Sequence, residues 1–194
     1  MKISDTKLKS WVAYAMRNKA EIFDLLDYFD PHDIENGILS IPETLINTGL
    51  KMRIMDQLQE YVDDYRIAFQ NDHIYLHLKL HLKQLGPIEA KYLIAITDLR
   101  FSEESRRLYG TFQEEVKSLG NMIQSVALKA ACSNGTCLQK AIRFINSNFI
   151  FVDGNRIMID LDHFELAKKI PSNIELNYIS CENGYLKLNF NYRG

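Results

Sequence analysis

Residues 73–83 read HIYLHLKLHLK, from His73 to Lys83. Histidine recurs at every fourth position, at His73, His77 and His81, which on a helix would stack three imidazoles on one face. The apolar residues decide otherwise. Ile74, Leu76, Leu78, Leu80 and Leu82 fill every even position, and polar or aromatic side chains fill the odd ones, which is the period of a half-buried strand. In a strand, residues four apart are separated by about 13 Å. A zinc ion holds each imidazole nitrogen at about 2 Å, so it cannot bridge neighbouring histidines at that spacing. The stretch predicts a long amphipathic strand with its histidines on the wet face, and no metal site.

The flanking sequence extends a sheet. Tyr65–Phe69 precedes the Asn71-Asp72 turn and predicts a hairpin with residues 73–83. After Gly86-Pro87, Glu89–Phe101 forms a long strand with Tyr92, Ile94 and Ile96 on one face and Leu93, Ala95 and Leu99 on the other, which predicts burial on both sides. Leu108–Val116 returns as its partner, with Leu108, Phe112 and Val116 sharing a face. Helical turns resume at about Asn121 with the stripe Met122, Ile123, Val126, Ala127 and Ala130. A second helix, Thr136–Ile145, opens on the capping box Thr136-Cys-Leu-Gln139. Strands Phe149–Val152, Arg156–Leu161 and Ile174–Leu188 follow, the last folded back at Asn183-Gly184.

At the other end, residues 5–28 predict a long helix whose apolar face carries Leu8, Trp11, Val12, Ala15 and Met16 and which Pro31 closes. Ser40-Ile-Pro-Glu43 is a second capping-box pattern, opening helical turns that reach about Val62 and that Gly49 interrupts. The fold class is α+β: a long curved antiparallel sheet wrapped against the long N-terminal helix and several shorter ones, in a single domain over residues 1–194. Similar element order in residues 4–83 and 119–193, joined by the strand pair 88–117, suggests a pseudo-repeat.

Composition narrows the function. The chain has 194 residues, 46% hydrophobic and 25% charged, with net charge −2, as expected of a soluble globular protein. No excess of cations is available to displace counterions from phosphates, which argues against general nucleic-acid binding. No apolar run approaches the roughly 18 to 20 residues that span a bilayer. MKISDTKLKSW has no apolar signal-peptide core, so a cytoplasmic location is expected for the chain as it stands, and anchoring or export if a leader was trimmed. Three cysteines, an odd number, fit reduced thiols better than a disulfide framework, although Cys132 and Cys137 can pair in an oxidising compartment.

The element order, together with IENGILSI (Ile34–Ile41), NDHIYLHLKL (Asn71–Leu80) and ENGYLKLNF (Glu182–Phe190), resembles the tubular lipid-binding superfamily and related bacterial lipid-binding domains. That resemblance implies a curved antiparallel sheet wrapped around a long helix, with an apolar groove between them and no catalytic signature. The residues of such a wall are Leu76, Leu78, Leu80, Tyr92, Ile94, Ile96 and Phe112.

Other clusters favour structural roles. Asp160-Leu-Asp162-His163-Phe-Glu165 is the most enzyme-like, since acids beside a histidine can relay a proton or bind a divalent ion. Asp162 with Glu165 also reads as a helix N-terminus, the stronger account. Asp30-Pro-His32-Asp33 reads as a solvated turn, and the Asp63-Asp64 and Glu114-Glu115 pairs point apart on strands. No glycine-rich phosphate loop, nucleophile elbow or Cys/His zinc pattern occurs.

Lys2, Lys7, Lys9, Arg17 and Lys19 surround the N-terminal stripe, so that helix either covers the sheet or lies on an anionic membrane surface as a peripheral contact. The expectation is a non-enzymatic protein without cofactor that binds a lipid or acyl chain. The alternative is a protein–protein interaction or assembly module with a filled core.

Overall fold

The computed structural model describes residues 28–83, 85–144, 147–168, 170 and 172–192. The predicted N-terminal helix, with Leu8, Trp11, Val12, Ala15 and Met16, lies outside them. The first half of the described chain runs α1 (Pro31–Glu35), β1 (Ile38–Pro42), a π-helical turn (Leu45–Gly49) and α2 (Lys51–Leu58). Then come the strands β2 (Val62–Gln70), β3 (His73–Leu82), β4 (Gly86–Phe101) and β5 (Arg106–Ser118). The helices α3 (Met122–Ala131) and α4 (Cys137–Phe144) follow, then β6 (Ile150–Asp153) and β7 (Arg156–Asp160). A 3-10 turn (Leu161–His163), α5 (Glu165–Lys168), β8 (Ile174–Glu182) and β9 (Tyr185–Tyr192) complete it.

HIYLHLKLHL is extended chain, as its alternation predicts, and it belongs to a nine-stranded antiparallel sheet. The sixteen-residue β4 is the spine. β5 pairs along one of its edges from Ile88 to Phe101. The other edge is shared: β3, followed by β2, lies alongside Gly86–Ile94, while β8 joins at Phe101 and carries β9 and β1 outward. β7 and β6 extend the sheet beyond β5.

One residue changes the reading of β4. Ile96 pairs with Gly110 and Asp98 with Tyr109, so Thr97 is an extra residue, a β-bulge that inverts the alternation beyond it. Directly paired residues share a face, so Ile94 with Phe112 and Leu99 with Leu108 lie on the same side of the sheet. The sequence places Leu99 opposite Tyr92, and the bulge corrects this. It also places two separate core clusters on one inner face. The first is built on Ala90, Tyr92, Phe112 and Ile157, the second on Leu99, Phe101, Ile174, Leu176 and Leu188. Leu93 and Ala95 face the other way and are half-buried, short of the full two-sided burial expected. Gly110 permits the close approach at the bulge, since a Cβ there would stand 2.7 Å from the Ala95 carbonyl oxygen.

The segment before β2 also differs from expectation. Ser40 and Glu43 do not form a capping box: Ser40 lies in β1, buried, and donates to Asp33 Oδ2 at 2.5 Å. Glu43 serves the free edge of β2, accepting from Phe69 N–H at 3.0 Å. Asn47 donates to the Ile67 carbonyl at 2.7 Å and accepts from Ile67 N–H at 2.8 Å, and Lys51 Nζ donates to the Tyr65 carbonyl at 3.4 Å. Side chains four apart on helical turns are about 5–6 Å apart, close to the roughly 6.6 Å between alternate residues of a strand. Glu43, Asn47 and Lys51 therefore match Phe69, Ile67 and Tyr65 one for one. An edge that would otherwise offer unpaired N–H and C=O groups to another chain is closed. The helical turns end at Leu58, and Val62 opens β2 instead of closing the helix.

The hairpin tips meet where β4 changes partners. Asp72, in the left-handed region (φ 61), accepts from the Tyr178 hydroxyl and from Cys181 N–H at 3.1 Å. Gly184 N–H donates to the Phe69 carbonyl at 2.9 Å and Glu43 N–H to the Gly184 carbonyl at 2.9 Å. Pro31 opens α1 with Asp30 as its cap, Oδ1 accepting from His32 N–H at 2.8 Å. The Asp30-Pro-His32-Asp33 stretch is thus a helix start and not only a turn.

Candidate functional site

The predicted wall is assembled on the inner face by strand register. Leu76 pairs with Tyr92 and Ile94 with Phe112, while Leu78 and Leu80 continue along β3 opposite Ala90 and Ile88. Tyr92 and Phe112 are buried and meet edge-to-face at 6.1 Å between ring centroids. Leu76, Leu78, Leu80 and Ile94 pack against the cluster of Ala90, Tyr92, Phe112 and Ile157 but remain only partly buried, and Ile96 sits half-buried at the bulge. Val116, Ile150, Val152, Ile157 and Ile159 continue the apolar surface across β5, β7 and β6.

Helix α4 contributes Leu138 to this cluster, and a carboxylate fixes the helix there. Glu114, beside Tyr92 on the inner face, accepts from the N–H groups of Cys137 at 2.5 Å and Leu138 at 3.0 Å. Those are the first donors of α4, which lack partners within the helix, and the helix dipole favours a negative charge at that end. Thr136 Oγ1 accepts from Gln139 N–H at 3.1 Å, as the capping box predicts. The Gln139 side chain instead reaches the Val152 carbonyl at 3.3 Å. Burial and then the nearby Glu114 charge raise the Tyr92 phenol well above its ordinary range, so it stays a neutral hydroxyl. The wall offers apolar surface with a neutral hydroxyl at Tyr92 and a carboxylate at Glu114 that the first N–H groups of α4 engage.

The histidines lie on the opposite face. His77 Nε2 and Glu89 Oε1 are 2.8 Å apart across β3 and β4, His73 Nδ1 is 2.6 Å from the Asn71 carbonyl, and His81 is exposed. Among the described residues no group of three His, Cys, Asp or Glu is placed to hold a metal ion.

The acid–histidine cluster does not assemble a site. Asp160, and not Asp162, is the cap: its Oδ1 accepts from Asp162 N–H at 3.0 Å, over a 3-10 turn that precedes α5. His163 Nδ1 is 3.9 Å from Asp160 Oδ1, too long for a hydrogen bond, and its ring rests beside Phe149. Asp162 is exposed, with Arg106 Nε at 3.7 Å. The Arg106 guanidinium lies over Phe101 and donates to the carbonyls of Ala167 and Ile170, so it ties the chain after β7 to the sheet.

Cys132 and Cys137 are joined in a disulfide, with Cα atoms 4.8 Å apart, which corrects the expectation of reduced thiols. The bridge links the last turn of α3 to the first residue of α4. Cys181 is a buried free thiol whose pKa burial pushes up to about 12. Helix α3 buries Leu128 and turns Met122, Ile123 and Val126 outward, so its predicted stripe does not join the core.

Two structural features escaped the sequence reading with a signal present. Glu43, Asn47 and Lys51 recur at helical spacing before a strand, and Asn121 with Gln124 forms a reciprocal capping box at 2.9 and 3.0 Å. The Thr97 bulge has no local signal.

Comparison of this chain with family models, with curated proteins and with solved structures returns no match.

Proposed function

We propose that the protein binds an apolar ligand, a lipid or acyl chain, against the inner wall of the sheet, without catalysing a reaction. The incomplete burial of β3 carries this reading. Ile74, Leu76, Leu78, Leu80 and Leu82 face inward between two other strands, and each keeps part of its surface open. Fully burying such a side chain stabilises by roughly 1.5 to 3 kcal/mol, so the open share is free energy that an acyl chain laid along β3 would recover. The wall has the chemistry of a small-molecule site, predominantly apolar with two polar groups, the Tyr92 hydroxyl and the Glu114 carboxylate that α4 engages. The resemblance to tubular lipid-binding proteins supports a groove of this kind between sheet and helix.

Native mass spectrometry of the full chain, purified without detergent, is expected to show a bound lipid mass. A fluorescent fatty acid is expected to be displaced by oleate. Leu78→Trp, which fills the middle of the wall, should weaken that binding by about tenfold or more while the protein still melts cooperatively. Bare protein mass together with no saturable uptake of the fluorescent fatty acid would overturn the reading.

A further inference from the structure

The helix α3 exposes what an amphipathic helix ordinarily buries. Leu119 is 56% exposed, Met122 81%, Ile123 78% and Val126 62%. Helical spacing places Met122, Ile123 and Val126 on one face, extended by exposed Ala130, while Leu128 is buried on the opposite side and Leu119 lies just before the helix. The patch is rigidly presented. Asn121 and Gln124 cap the helix reciprocally, Cys132 closes its other end through the disulfide, and Lys140 Nζ donates to the Ala131 carbonyl. Contiguous exposed apolar surface on a folded protein marks a binding face.

Charge identifies what it meets. From Val116 to Val152 the chain carries four cations, Lys117, Lys129, Lys140 and Arg143, and no carboxylate, although the whole chain is net −2. Lys129 stands one turn beyond Val126 at the flank of the stripe, exposed. Lys117 is paired with Glu115 at 2.6 Å, whereas Arg143 is exposed on α4. An apolar helical face with the exposed Lys129 at its flank, in a stretch whose nearest acids in sequence are Glu114 and Glu115 at its start, matches the interface of an anionic bilayer, where side chains enter the acyl boundary and lysines meet headgroups. We propose that α3 docks the protein on anionic lipid surfaces through Leu119, Met122, Ile123 and Val126. This site is separate from the inner wall of the sheet and stands whether or not that wall holds a ligand.

Sedimentation of the full chain with phosphatidylcholine vesicles containing phosphatidylglycerol tests the assignment. Binding is expected to these vesicles, to weaken as salt is raised, and to be at least about tenfold weaker with pure phosphatidylcholine. The double variant Met122→Ser/Ile123→Ser should lose about tenfold or more of the affinity without a change in melting temperature, because both side chains are already exposed. Val126→Trp gives a readout that does not depend on losing function. Its added emission should shift to the blue on anionic vesicles relative to the parent protein, whose one tryptophan is Trp11.

Three results would overturn the proposal. One is no binding to anionic vesicles at low salt. Another is unchanged binding by the double variant with no blue shift from the Val126→Trp variant, which would place lipid contact elsewhere, at the segment around Trp11. The third is concentration-dependent dimerisation that the double variant abolishes while vesicles remain unbound, which would assign the stripe to a second copy of the chain.

Discussion

Asn47→Ala removes both hydrogen bonds that the Asn47 amide makes to the backbone of Ile67, at 2.7 and 2.8 Å. Each such bond contributes about 0.5 to 1.5 kcal/mol net, so the pair contributes roughly 1 to 3 kcal/mol. For a chain of this length each kcal/mol moves the melting temperature by about 2–4 °C; a loss near the middle of that range corresponds to roughly 4–8 °C. Asn47→Asp separates the two bonds. The carboxylate still accepts from Ile67 N–H but sets a negative oxygen against the Ile67 carbonyl. At neutral pH it should be at least as destabilising as Asn47→Ala, and it should regain stability near pH 4, where a protonated carboxyl can donate.

Urea unfolding followed by far-ultraviolet circular dichroism gives the free energies. Light scattering adds a second readout, because an opened β2 edge is a template for pairing between chains and Asn47→Ala should associate more than the parent. A change below about 0.5 kcal/mol for Asn47→Ala, or parent-like stability of Asn47→Asp at neutral pH, would refute the idea that helical side chains close this edge.

Glu114→Ala should cost about 2 to 3 kcal/mol, since two charge-assisted bonds and a dipole contact are lost at the start of α4; faster amide exchange at Cys137 and Leu138 is the local check, and unchanged protection there would contradict it. Thiol titration should find almost no reactive cysteine in the native protein, one after unfolding and all three after reduction as well, because one pair is bridged and Cys181 is buried with its thiol pKa pushed up to about 12. Reducing the bridge, or Cys132→Ser/Cys137→Ser, should cost about 2 kcal/mol, as its loop is short. The hydrogen bond from His77, with help from Lys91, holds the Glu89 carboxyl below its usual range. A depressed folded pKa stabilises above the unfolded pKa and is lost as pH falls through the folded one. The advantage of the parent over Glu89→Gln should therefore be present near pH 6 and be lost as pH falls below the ordinary carboxylate range; a difference independent of pH would exclude this account. Gly110→Ala, whose methyl meets the Ala95 carbonyl, should cost about 1–3 kcal/mol by thermal melting.

Much of the secondary structure is legible in the order of residues. Strict alternation in residues 73–82 defines β3, because only an extended chain places every second side chain on one face. The turns at Asn71-Asp72 and Asn183-Gly184 are legible because those residues take positive φ at little cost. Thr136 is legible as a cap from its own spacing to Gln139. These are local preferences, and local physics sets them.

Contacts distant in sequence decided the rest. A single extra residue at Thr97 turned Leu99 onto the face of Phe112, an effect that depends on what Gly110 allows across the ladder. Ser40 and Glu43 left their apparent capping box because Asp33 and the β2 edge offered better partners. The seven residues of the proposed wall could be grouped by alternation alone, but how far each is covered depends on which strands and helices reach it. Helix α3 shows the same division from the other side: periodicity gives its apolar stripe, and only packing, which buried Leu128 instead, determined that the stripe faces outward.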